Sequence, residues 1–147
     1  MTAFEMPHGG SSIRLELPPA RREPLDLARQ VWPVMGYRGR FLAQQLIGTD
    51  DVFAAVRTGT RIDVGTWLLR GRVWVFALRD SLAVVACGPC GLKVRAERVP
   101  YESLRESQYN HVTGELALAP AKGLPLRGLA LDPLDAYQLL AQIYRED

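Results

Sequence analysis

Residues 73 to 78 read Val-Trp-Val-Phe-Ala-Leu, and every one of them is apolar. Successive side chains of an extended chain point to opposite faces. Val73, Val75 and Ala77 therefore share one face and Trp74, Phe76 and Leu78 the other, so this strand is apolar on both sides. The neighbouring segments continue in the same manner. VFAAVRTGTRIDV and TWLLRGRVWVFALRDSLAVVAC are rich in β-branched and aromatic residues, and Thr58-Gly59, Arg70-Gly71 and Arg79-Asp80 break them. LKVRAERVP sets Leu92, Val94, Ala96 and Val99 against Lys93, Arg95 and Glu97. ESQYN, GELALAP and LPLRGLAL add short strands, with a turn at Asn110 to Gly114. A meander of seven to nine such strands needs a second sheet or closure on itself.

The two ends of the chain have a different pattern. PHGGSS reads as a flexible lead, and Ile13, Leu15 and Leu17 as one side of a short strand stopped by Pro18-Pro19. EPLDLARQVWPVMG predicts a helix with Leu27, Val31 and Val34 on one face, kinked or ended at Pro33 and closed at Gly36. GRFLAQQLIG predicts a second short helix with Phe41, Leu42 and Leu46 as its apolar side. Near the end, Asp132 stands as N-cap and Pro133 at the first helical position. Leu134, Tyr137, Leu140, Ala141 and Tyr144 then fall at helical spacing. The expected organisation is an N-terminal extension over residues 1–50, with one or two short helices packed on the domain, and one structural unit over 51–147.

Composition narrows the class. Apolar residues make up 48% of 147 residues, enough for a real core and too many for a disordered chain. No apolar run approaches the ~20 residues that span a bilayer, and the N-terminus lacks the basic-then-apolar order of a secretory signal, so the cytoplasm is the expected compartment. Net charge is +2, too small to argue for nucleic acid. The cations are sixteen arginines against two lysines, Lys93 and Lys122. Forked guanidinium groups suit phosphate and carboxylate.

The segment GTWLLRGRVWVFALRDSLAVVACG resembles the opening of a pleckstrin-homology-like domain of the bacterial kind: strand one, a basic loop, an aromatic strand two, Leu-Arg-Asp, then strand three. VRAERVPYESL resembles the turn that leads into that family's next strand, and DPLDAYQLLAQI stands where its closing helix stands. The resemblance covers roughly residues 60–145. It implies an α+β, mainly β fold: a seven-stranded or slightly larger antiparallel barrel capped by a C-terminal α-helix, here with a partly helical N-terminal extension. It also implies a binding module. In family members that hold phosphoinositides, basic residues around the first loop grip the phosphates; the matching positions are Arg70 and Arg72, with Arg61 as a third. Tyr137 or Tyr144 takes the place of the Trp found in the closing helix of eukaryotic members.

One motif points elsewhere. Cys87-Gly88-Pro89-Cys90 is the tetrapeptide of thioredoxin active sites. That chemistry needs a helix directly after the pair, because the helix N-terminus stabilises the thiolate. Here the following GLKVRAERV alternates with period two, and Gly-Pro between two strands reads as a hairpin tip. Zinc would need about four ligands, and His8 and His111 share no ligand-like spacing with the cysteines. No Ser-His-Asp pattern, glycine-rich phosphate loop or telling carboxylate pair is present. The sequence therefore predicts a non-enzymatic module without cofactor or metal. It would recognise a protein partner, a peptide or itself, with an anionic lipid headgroup at Arg61, Arg70 and Arg72 as a variant. A small thiol-dependent redox protein using Cys87 and Cys90 is the alternative.

Overall fold

The computed structural model describes residues 3–8, 11–58, 61–64, 67–70, 72–87, 94–118 and 129–145. The chain opens with an antiparallel hairpin of β1 (Ala3–His8) and β2 (Ser11–Glu16). The expected lead thus contains a strand, with Phe4 opposite Leu15 and Met6 opposite Ile13. A helical segment follows: α1 (Leu27–Gln30), a 3₁₀ turn at Trp32–Val34 and α2 (Tyr37–Ile47). Pro33 lies inside the 3₁₀ turn, where its missing N–H ends the first helix after one turn. Gly36 does not close that helix but is the N-cap of α2, while Gly48 ends α2 at φ +63°, a left-handed position that favours glycine.

Next come β3 (Ala54–Thr58), β4 (Arg61–Val64), β5 (Trp67–Arg70), β6 (Arg72–Ala77), β7 (Ser81–Cys87) and β8 (Val94–Pro100). After a 3₁₀ turn at Tyr101–Leu104 stand β9 (Gln108–Asn110), β10 (Glu115–Ala117), β11 (Leu129–Ala130) and α3 (Pro133–Ile143). The main sheet has the order β3-β6-β7-β8, the second β11-β10-β9, and all pairing is antiparallel. The protein is α+β, with antiparallel sheets of four and three strands and a C-terminal helix. Among the described residues no barrel closes: β3 and β8 are edges of one sheet, β9 and β11 of the other. The second sheet's strands are two or three residues long, too short to pair along a neighbouring edge.

The expected loop at Arg70-Gly71-Arg72 is also corrected. If the chain reversed there, β5 and β6 would pair with each other. Instead β5 pairs with β4 and β6 with β3, in two separate sheets. Arg70 ends β5 and Arg72 begins β6.

The two-sided strand finds a cover on each side. Val73, Val75 and Ala77 join Leu82, Val84 and Ala86 in a core with Leu17, Leu116, Leu129, Leu139, Leu140 and Ile143. Trp74, Phe76 and Leu78 join Ala83 and Val85 in a second core with Val31, Met35, Ala43 and Ile47. α2 meets the sheet through Gly39, Ala43 and Ile47, which are one turn apart and buried. Its small residues let the backbone approach the sheet, so Phe41, expected inward, is 53% exposed on the opposite side. α3 likewise turns inward through Ala136, Leu139, Leu140 and Ile143, leaving the expected Leu134 outside. No helix among the described residues is long and apolar enough to cross a membrane.

Candidate functional site

β6 and β7 are joined by the tight turn Leu78-Arg79-Asp80-Ser81, and every carbonyl of this turn has a donor. Leu78 N–H donates to Ser81 O at 2.9 Å, closing the hairpin. Tyr101 N–H donates to Asp80 O at 3.0 Å, and the Tyr101 hydroxyl donates to Leu78 O. Arg145 Nη2 donates to Arg79 O at 3.2 Å. Tyr101 is buried, and that burial pushes its hydroxyl far above the ordinary phenol range, so it stays a donor at every physiological pH. A turn satisfied in this way is rigid. It projects two exposed side chains of opposite charge, Arg79 and Asp80.

Asp80 enters a surface network. Arg98 on β8 reaches Asp50 Oδ2 at 2.7 Å and Asp80 Oδ1 at 3.2 Å, and its Nε donates to Ser81 Oγ at 2.8 Å. Ser81 Oγ in turn donates to Asp80 Oδ1 at 3.0 Å. The Ser81 hydroxyl first, and Arg98 second, hold the Asp80 carboxyl below the usual carboxylate range. The hydrogen bond to Asp50 is the main reason the Arg98 guanidinium holds its proton still more firmly. The network fixes the end of α2 and the turn against β8; at this exposure its worth in stability is small.

Two recesses flank the turn. One, about 410 Å³, is lined by Thr49, Asp50, Asp51, Arg79, Asp80 and Arg98. The other, about 290 Å³, is lined by Arg22, Phe53, Arg79 and Arg145. Arg79 lines both. Four distant segments meet in the second recess, and hydrogen bonds tie them at or beside the lining residues. Gln142 Nε2 on α3 donates to Arg21 O at 3.0 Å. Leu25 N–H donates to Val52 O at 2.7 Å, and Phe53 N–H to Ala77 O at 2.8 Å.

No protein-family model, curated protein or solved structure matches the chain. What the surface can do therefore rests on its own chemistry.

The arginines singled out in the sequence lie elsewhere. Arg61 and Arg70 are direct cross-strand partners in the β4–β5 ladder, and Arg72 is the β6 partner of Cys87. Arg72 therefore lies at the end of the main sheet where β7 meets β8, and Arg61 and Arg70 lie in the separate β4–β5 pair. Cys87 is the last residue of β7 and pairs with Val94, the first of β8. Cys90 falls outside the described residues. The described chain resumes as a strand from Val94 onward. Among the described residues no cluster of three or more His, Cys, Asp and Glu side chains could hold a metal. His111 is exposed in its turn, with Tyr137 Oη 3.0 Å from its Nε2.

Arg22, Arg98 and Arg145 went unnoticed in the sequence. Arg98 did carry a signal, since it shares strand parity with Val94 and Ala96, a charge on the apolar side of the alternation. Arg22 and Arg145 are 123 positions apart, and only the fold joins them.

Proposed function

We propose that the chain is a non-enzymatic binding module that docks a protein partner on the outer face of α2. One observation carries this. Val34, Tyr37 and Phe41 are 57%, 77% and 53% exposed, and Tyr37 and Phe41 stand one helical turn apart. The inner face of the helix already supplies the core, so these side chains add nothing to it. Adjacent exposed apolar groups of this size mark interaction surfaces, and aromatic anchors dominate binding energy at such surfaces. A second copy of the chain would use the same face.

The pleckstrin-homology-like likeness belongs to this proposal. What supports it is the order of a four-stranded antiparallel sheet, a three-stranded antiparallel sheet and a closing helix. The anionic variant at Arg61, Arg70 and Arg72 draws support from the cross-strand pairing of Arg61 with Arg70.

The experiment is photo-crosslinking in cells from a reactive amino acid placed at position 41, with adducts identified by mass and reconstituted from purified components. The expected result is one defined adduct, self or foreign, whose reconstituted complex is lost in the Tyr37→Glu, Phe41→Glu double variant and kept in Leu134→Glu. No adduct together with a monodisperse monomer, or a complex indifferent to the double variant, overturns the proposal.

A further inference from the structure

We propose that the recess formed by Arg22, Phe53, Arg79 and Arg145 binds a phosphate monoester, with the rest of the ligand neutral or cationic. The assembly itself is the first argument. Three arginines, Arg22 before α1, Arg79 in the β6–β7 turn and Arg145 just after α3, line one concavity of about 290 Å³. A recess with this lining offers an anion charge-assisted hydrogen bonds from separate segments of the chain. Among the described residues neither Arg22 nor Arg79 is paired to a carboxylate. In the adjoining recess Asp50 and Asp80 are engaged by Arg98.

The second argument is preorganisation. Arg79 projects from a turn whose four carbonyls are all hydrogen-bonded, and Arg145 spans the turn through its own bond to Arg79 O. Arg22 follows Arg21, whose carbonyl is held by Gln142, a side chain only 1% exposed. A polar side chain buried this deeply sets the chain where it crosses α3. Phe53, 3% exposed, gives the recess an apolar wall. Guanidinium forks match the oxygens of phosphate, and several forks together favour a dianion over a single carboxylate. The recess is at the small end for ligand sites, so it suits a headgroup-sized monoester. The adjoining recess carries three carboxylates, Asp50, Asp51 and Asp80, against the two guanidinium groups of Arg79 and Arg98, which disfavours a second anionic group there.

The same chemistry could reach the recess in solution or on a membrane, and the test has an arm for each. Full-length protein is titrated with glycerol 3-phosphate, followed by NMR shifts of the arginine side chains, and separately mixed with phosphatidylcholine vesicles with and without phosphatidic acid. Arg22→Gln and Arg79→Gln are compared with wild type; Arg79 contributes only its backbone to the described hydrogen bonds, so its variant keeps the fold. Tyr37→Glu with Phe41→Glu serves as the control that separates this site from the α2 face. The expected result is binding in at least one arm, weakened about tenfold or more by either arginine substitution, as loss of a charge-assisted bond predicts, and unaffected in the control. Response to the soluble ester makes the ligand a free metabolite, and response to the vesicles alone makes it a headgroup. No response in either arm at millimolar ester, or a response that both arginine variants retain, overturns the proposal.

Discussion

The two faces of the main sheet are covered by different means. One is closed by residues far along the chain, Leu116, Leu129, Leu139, Leu140 and Ile143, together with Leu17 from the start. The other is closed by the segment directly before the sheet, through Val31, Met35, Ala43 and Ile47. The first cover turns its large side chains inward. The second puts small residues inward at Gly39 and Ala43 and leaves Tyr37 and Phe41 outside. A helix that seals a core with its small face keeps its large one for display, and that division is why the second cover doubles as the proposed docking surface.

Deep truncations on either side of the sheet test whether both covers are structural. Phe76→Ala should cost about 3–5 kcal/mol and Leu140→Ala about 2–5 kcal/mol in chemical denaturation, because both side chains are fully buried. A Phe76 variant near wild type would mean that the α2 layer is not fixed to the sheet. A sharper comparison lies within α2 itself. Ala43→Leu should destabilise by about 1–3 kcal/mol through overpacking, whereas Phe41→Ala should stay within about 0.5 kcal/mol. The reverse order would place the wrong face inward.

The Arg98 network should weigh less. Arg98→Met is expected to cost at most about 1 kcal/mol, since its partners are largely exposed. Its pH signature has a definite sign. The Asp80 carboxyl is depressed in the folded state, so its contribution is present above the ordinary carboxylate value and is lost as pH falls through the depressed one. Burial raises Asp135, so that group acts oppositely: its contribution is complete below the ordinary value and disappears as pH rises through the raised one. Denaturation curves of Asp80→Asn from neutral to acid pH should lose the first effect and keep the second. The smallest change belongs to the cysteines. Cys87→Ser and Cys90→Ser should leave the cooperative unfolding transition in place, since two cysteines are no disulfide framework. In a pH titration of the wild-type thiols, a strongly depressed cysteine would favour redox chemistry.

The sequence carried the parts of this structure that depend on local period. The alternation of Val73 to Leu78 announced a strand buried on both faces, and Asp132-Pro133 announced α3. The turn at Asn110 formed as read, with its side chain accepting from Val112 N at 2.9 Å and Thr113 N at 3.3 Å. On α3 the expected face turned inward at Tyr137, Leu140, Ala141 and Tyr144 and failed only at Leu134, whereas the inward face of α2 was less legible. Apolar spacing at 41, 42 and 46 named the large residues, while packing against Trp74 and Phe76 selected the small ones. Whether the chain reverses at 70 to 72 depends on pairing with β3 and β4, which no local pattern encodes. The arginine recess lay beyond reach for the same reason: Arg22, Arg79 and Arg145 carry no common motif, and only long-range contacts bring them together.

The sheet sealed on both faces is most directly tested by aromatic and methyl NOEs in the folded protein. Phe76 should show contacts to the Trp32 ring, whose centroid lies 6.1 Å away, and to methyls of the α2 layer. Val75 and Val84 should instead contact methyls of Leu139, Leu140 and Ile143. Phe76 contacting α3, or showing no contact to the segment before the sheet, would contradict the account.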